Sequence, residues 1–264
     1  MRAALAVLLM LALAPPAAAA NAAQRVITLG GSQYQPQGVV ASSTATANKG
    51  SALTGVVDGK SGVVSAWVKM PNGGSTRYLF AVASGTVPAP QLFFNTTNAP
   101  RLSGSNSAGT QIYQGAGSVN LGTQIWYHLL WSWNLATARN QFALNDVIDT
   151  ALIATTTNDV INYSVNGPWI ASNQGGGSNF NDQTADVQVW LTGDLDIGVQ
   201  ANRRLFIDGV GRAVDPRWAE MVLGQPVIKL VAPSFSTFYN NVKGTGGTMT
   251  LGAGTFSQAT SNPP

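Results

Sequence analysis

Cysteine is missing from all 264 residues, histidine occurs once, as His128, and glutamate once, as Glu220. Without cysteine there are no disulfides, no thiolate metal sites and no thioether-linked lipid anchor. One histidine and no thiolate cannot build a histidine-based zinc site. Charge is scarce, at 9% of residues, and the formal net charge is only +3. The lysines and arginines are scattered, with no basic run, so nucleic acid is not an implied partner. The longest apolar run, Ala3 to Leu13, is shorter than the ~20 residues a membrane-spanning helix needs.

What precedes and follows that run gives it a meaning. Arg2 stands before it, Pro15-Pro16 break it, and Ala17-Ala18-Ala19-Ala20 offers an A-x-A cleavage pattern ahead of Asn21. This is the pattern of a secretory signal peptide. Residues 1–20 are therefore expected to be a leader, and the mature chain to be secreted or periplasmic with no membrane span. An exported domain without disulfides has to rely on its own core. The length suits one large domain with ample core, and apolar and aromatic residues recur along the whole chain, which argues against disorder. The expected division is a leader at 1–20, one sandwich at 21–231 and a Gly/Ser/Thr-rich segment at 232–264. That last segment is open to three roles: completing the sandwich, pairing with another subunit, or hanging loose. Its end, Ser261 to Pro264, is expected to be mobile on composition.

The organising stretch is Trp126-Tyr127-His128-Leu129-Leu130-Trp131-Ser132-Trp133-Asn134 with its return Gln141-Phe142-Ala143-Leu144-Asn145-Asp146. Leu135 to Asn140, short and polar enough for a hairpin, connect them. Successive side chains of a strand face opposite ways. Tyr127, Leu129, Trp131 and Trp133 then share a uniformly apolar face that should line a core. Trp126, His128, Leu130 and Ser132 share a mixed face, as expected where one side of a sheet is partly open. Other strand-like runs are Gly62 to Met70, Arg77 to Ala83, Gln91 to Asn95, Arg101 to Ser103, Trp169 to Ser172 and Asp186 to Leu191. Gln24 to Leu29, Val227 to Val231 and Thr248 to Leu251 are weaker ones. Gly30 to Gly50 reads as loop or irregular edge, and Trp218 to Met221 as a helical turn. Short strands at close spacing with turn residues between them predict an all-β sandwich or barrel.

The order of several motifs resembles one family. Ser65-Ala66-Trp67-Val68, Arg77-Tyr78-Leu79-Phe80, Trp126-Tyr127-His128-Leu129-Leu130, Phe142-Ala143-Leu144-Asn145-Asp146, and Trp169-Ile170-Ala171 followed by Gly175 to Phe180 and Asp186 to Trp190 are similar to the LamG-like, concanavalin A-like jelly-roll pattern. The resemblance covers roughly Leu53 to Trp190 and implies an all-β jelly-roll β-sandwich. A narrower set, Ala52 to Lys60, Ala201 to Asp208, Arg212 to Pro216 and Lys243 to Gly247, resembles LamG-domain proteins encoded in phage and prophage structural gene clusters. That implies a virion-associated or phage-derived surface role, with virion or cell-surface proteins as partners. The leader departs from that pattern and points to export instead.

The jelly roll also hosts glycoside hydrolases, whose chemistry needs a pair of carboxylates. The E-x-D-x-x-E strand of laminarinase-type enzymes is absent, and Glu220 stands alone. Asp194-Leu195-Asp196 puts two carboxylates on one face if extended, but it reads more simply as a loop. His128 is formally able to serve a Ser-His-Asp triad, yet no G-x-S-x-G elbow appears. Gly175-Gly176-Gly177 is no phosphate loop, since no Lys-Ser/Thr follows it. Two kinds of binding site stay open. Calcium takes six to eight oxygens at the rim of some LamG domains, with Asp146, Asp182 and Asp186 as candidate ligands. No other cofactor is expected. A glycan could be held by Trp169, Asn173, Asn179 and Asn181, at or near the glycine loop. The reading is a non-catalytic recognition or structural module, phage-derived or virion-associated, that contacts cell-surface glycans. The alternative is a secreted lectin-like protein without a phage connection.

Overall fold

A computed structural model describes residues 34–70, 73–84, 87–173, 178–231 and 234–264. The leader at 1–20, the proposed strand Gln24 to Leu29 and the glycines Gly175 to Gly177 lie outside the described residues. Two short strands, β1 (Val39–Ala41) and β2 (Thr46–Asn48), open the fold. Next come β3 (Ser61–Lys69), β4 (Arg77–Ser84), β5 (Val87–Phe94), β6 (Pro100–Ser105) and β7 (Gln111–Ala116). The chain continues through β8 (Trp126–Asn134), β9 (Arg139–Leu144), β10 (Val147–Ile148), β11 (Ile153–Thr156), β12 (Pro168–Ile170) and β13 (Gln183–Trp190). Two helices, α1 (Gln200–Arg203) and α2 (Arg217–Leu223), precede β14 (Ile228–Leu230), β15 (Thr250–Ala253) and β16 (Phe256–Gln258).

The strands form two sheets. The first runs β10-β9-β8-β3-β13-β1-β16, with β14 also beside β13, and the second runs β11-β7-β6-β5-β4-β12-β2-β15. All pairings between these strands are antiparallel. The fold is a jelly-roll β-sandwich. The 30–50 region is not a plain loop, because β1 and β2 lie in it and join one sheet each. Residues 232–264 supply β15 to the second sheet and β16 to the first. Ser261 to Pro264, expected to be mobile, is instead tied down: Trp126 Nε1 donates to Ser261 Oγ at 3.0 Å, Gly38 N to Asn262 Oδ1 at 3.0 Å and Ala213 N to Pro264 O at 3.0 Å. These bonds settle a segment whose composition alone would leave it free.

Alternation decides what fills the space between the sheets. Leu129, Trp131 and Trp133 of β8 point inward with Val64, Ala66 and Val68 of β3, and meet Leu92, Leu102, Ile112 and Tyr113 of the second sheet. Both buried indoles find acceptors, as a buried Trp usually does: Trp131 Nε1 donates to Asn140 Oδ1 at 2.7 Å and Trp133 Nε1 to Tyr163 Oη at 2.9 Å. Glycine makes the room. A Cβ on Gly115 would stand 2.2 Å from Trp131 Cζ2, and one on Gly62 would stand 2.2 Å from Trp133 Cζ2.

The opposite face of the first sheet is not open. Residues between β13 and β14 fold back over it as a cap. Leu195, Ile197, Leu205, Phe206 and Ala219 pack on Val63, Leu130, Ala143 and Trp190. Ile207 and Ala213 pack on Trp67 and Ala185. Ser132 Oγ donates to Leu195 O at 2.5 Å, and Trp190 Nε1 to Gly224 O at 2.8 Å. Each buried Leu, Ile or Phe of such a layer contributes about 1.5–3 kcal/mol. The mixed face of β8 is therefore a second interior, and its polar residues are those that find partners there.

Candidate functional site

With the first sheet capped, the second sheet presents the face on which a partner can lie. Register across its strands assembles that face row by row. Ile153 pairs with Ala116, Ala116 with Arg101, Arg101 with Phe93 and Phe93 with Tyr78. Tyr78 is bridged in turn to Asn179. Directly opposed residues share a face, so these side chains lie side by side. The next row, two residues along each strand and three along β4 where a bulge intervenes, aligns Thr155, Gln114, Ser103, Gln91 and Ala81. Trp169 stands in register with Ala81 on one side and Asn48 on the other, and Thr250 completes the row.

The chemistry of these rows is specific. The Tyr78 and Phe93 rings stack with centroids 5.0 Å apart and planes 23° from parallel, and both are half-buried. Burial raises the Tyr78 hydroxyl above its ordinary value, so it stays a neutral hydrogen-bonding group. Gln91 Nε2 donates to Ser103 Oγ at 3.0 Å, while Gln114 is exposed. No carboxylate occurs in either row. An apolar ring surface beside amides and hydroxyls suits a ligand with one C–H-rich face and a rim of hydroxyls.

One end of the face rests on a buried ion pair. Arg77 and Asp182, 3% and 0% exposed, meet with Nε and Oδ2 3.3 Å apart, and Arg77 also donates to Asn98 Oδ1. Burial pushes the Asp182 carboxyl up to about 7, against the pull of Arg77. The pair joins the start of β4 to the start of β13 and so anchors the loop that carries Asn173, Asn179 and Asn181.

Of the four residues expected to hold a glycan, Trp169 lies on the second sheet and Asn179 at its margin, while Asn173 and Asn181 lie on the crossing loop. Asn179 Nδ2 donates to Ser43 O at 3.0 Å, and Asn181 is exposed. The buried Oδ1 atoms of Asn173 and Asn179 have no hydrogen-bond partner among the described residues. The residues that sequence reasoning missed are Tyr78, Gln91, Phe93, Arg101 and Gln114. Their signal was the outward half of each alternation, as in Gln91-Leu92-Phe93-Phe94 and Arg101-Leu102-Ser103.

The three aspartates considered for calcium stand apart. Asp146 lies in the β9–β10 turn between Arg203 and Arg204, at 2.9 and 2.8 Å. Asp182 holds Arg77. Asp186 sits at a bulge in β13 with φ of 48°, accepting from Gln188 Nε2 at 3.0 Å and from the Tyr34 hydroxyl. Burial pushes Asp186 up to about 7. Among the described residues no three His, Cys, Asp or Glu side chains gather as a metal cluster. In this structure the three carboxylates serve separately, as counter-ions and buried acceptors of the fold.

The other titratable candidates are likewise structural. His128 is 1% exposed, 3.0 Å from Ser65 Oγ and against the Trp67 ring at 5.1 Å. Burial pulls its pKa down to about 3, so it is neutral under the cap and closed to substrate. Glu220 is ion-paired to Lys229. Asp194 accepts from Asn134 Nδ2 at 2.8 Å and Asp196 from Gln141 Nε2 at 2.7 Å, which fastens the start of the cap to β8 and β9.

No protein-family model and no curated protein matches the chain. Solved structures do resemble it. A candidate carbohydrate-binding protein from Bacteroides ovatus superposes with a TM-score of 0.63 at 12% identity, over 89% of this chain and 63% of that one. A SAP-like pentraxin from Limulus polyphemus gives 0.46 at 16% identity, over 63% and 81%. The receptor-binding domain of botulinum neurotoxin mosaic serotype C/D gives 0.45 at 10% identity, over 64% and 41%. The chain thus spans less than two thirds of the Bacteroides protein. At these identities the likeness is one of fold.

Proposed function

We propose that this protein is a non-catalytic glycan-binding module and that the open face of its second sheet is the binding surface. The observation that carries the reading is the stacked, half-exposed Tyr78–Phe93 pair in register with polar and cationic side chains. Sugar rings bury a C–H face on such a platform, and their hydroxyls pair with the amides of Gln91 and Gln114. The likeness to the candidate carbohydrate-binding protein from Bacteroides ovatus supports the same reading at the level of fold. Fold alone does not assign function, so the weight rests on the face. A module without catalysis is consistent with the burial of His128 and with the paired state of Glu220, Asp194 and Asp196.

Export belongs to this proposal, because the pattern at Met1 to Ala20 would place the mature chain among cell-surface glycans. The test is a glycan array probed with the mature protein and with Phe93→Ala. Binding by the first that drops in the second supports the reading. A blank array for the mature protein, or an unchanged profile for Phe93→Ala, refutes it. Fractionation of the native host answers the placement: co-purification with virus-like particles would favour the phage-derived role, and free secreted protein the lectin-like one.

A further inference from the structure

Among the described residues the arginines pair with aspartates, with one exception. Among the described residues Arg77 pairs with Asp182, Arg139 with Asp194, Arg203 and Arg204 with Asp146, Arg212 with Asp208 and Arg217 with Asp215. Arg101 alone among the described arginines has no carboxylate, and it stands at the middle of the open face, between Phe93 and Ala116. It is only partly exposed. A partly exposed guanidinium with no protein carboxylate beside it leaves its N–H fork available to an anionic ligand. No acidic residue of either row can supply the anion.

We propose that the glycan held on this face carries a carboxylate, and that Arg101 is the residue that selects it. This rests on the reading of the face as a glycan platform. A guanidinium presents its N–H groups as a planar fork that matches a carboxylate bidentately. Phe93 lies one strand away and Tyr78 two, so a sugar ring seated on the aromatics brings its acid group over β6. Uronic acids and other acidic monosaccharides have this combination of a ring face and a carboxylate. A neutral sugar would leave Arg101 unpaired, and the face would discriminate against it for that reason.

The experiment titrates the mature protein, by calorimetry, with a glucuronate-containing oligosaccharide and with its carboxyl-reduced neutral counterpart. Wild type should prefer the acidic form by about 10- to 100-fold, the range of a charge-assisted hydrogen bond. Arg101→Gln should lose that preference while still binding the neutral form. Arg101→Lys keeps the charge but not the fork and should fall between, and the melting temperature of each variant confirms folding. Equal affinity of wild type for both forms, or a preference that survives in Arg101→Gln, overturns the selection by Arg101 and leaves the platform standing, provided Phe93→Ala still loses binding. No binding of either form by wild type, or of any glycan on the array, overturns the platform and the selection together.

Discussion

Asp186→Asn is expected to stabilise this protein above pH 7 and to flatten its pH profile. The carboxyl is buried under the cap, near Tyr34, Gln188, Lys229 and Asp215, and burial lifts it from 3.8 to about 7. The folded chain therefore keeps a proton that the unfolded chain has already released. Stability falls as pH rises across that window, by about 1.4 kcal/mol per pH unit. A window of about three pH units makes about 4 kcal/mol in all. Asp182 acts in the same sense. His128 acts in the opposite one: burial holds it neutral down to about 3, while in the unfolded chain it takes a proton below about 6.5, so its contribution is lost as pH falls. Between about pH 5 and 6.5 the two aspartates and the histidine leave a net loss of about 1.4 kcal/mol per unit with rising pH. Without the Asp186 carboxyl, Asp182 and His128 cancel. Asparagine accepts the same hydrogen bonds and tolerates the positive φ. Urea unfolding followed by tryptophan fluorescence, from about pH 5 to 8, should show a sloping midpoint for wild type and, up to about pH 6.5, a level one for the variant, which gains about 2–4 kcal/mol at pH 8. A variant with the wild-type slope, or one weaker than wild type at pH 8, refutes the reasoning.

Other outcomes follow from the packing. Gly115→Ala drives a methyl into Trp131, which Phe142 backs at a ring distance of 4.5 Å; the overpacking should cost about 1–3 kcal/mol and lower the melting temperature by about 2–12 °C, and an unchanged melting curve would contradict the wedge. Removing residues 259–264 deletes the ties from Trp126, Gly38 and Ala213, so limited proteolysis should reach the cap sooner, whereas unchanged cleavage would show the tail to be dispensable. Tyr78→Ala should weaken glycan binding at least tenfold, as loss of an aromatic platform does, with little change in urea midpoint, because the ring lies outside the sandwich core. A midpoint that falls as far as binding does would make Tyr78 a packing residue instead.

Much of the sandwich was legible in the sequence because its central strands are long and alternate cleanly. Trp126 to Asn134 announces both of its faces, and the inward set of Leu129, Trp131 and Trp133 is buried as the pattern demands. What the pattern cannot say is which segment covers the other face. Trp126, His128, Leu130 and Ser132 look half-open because a polar residue alternates with apolar ones, yet His128 meets Ser65 and Ser132 meets the Leu195 carbonyl, and the cap closes over both. Val39 to Ala41 and Thr46 to Asn48 were lost among Ser, Thr and Gly because three residues show no period. The open face was harder still. Tyr78, Phe93 and Arg101 sit on three strands, and only register brings them together, which local sequence does not specify. Trp169 and Asn179 stand out in the sequence as glycan candidates, whereas the residues beside them in register do not.

The central claim is that ligand lies on the open face of the second sheet, and the footprint of a bound glycan on backbone amide exchange tests it most directly. With the tightest array ligand at saturation, protection should appear in Arg77–Ser84, Val87–Phe94, Pro100–Ser105 and Gln111–Ala116. Protection confined to the cap around α1 and α2, or to the chain beyond β13, would contradict the account.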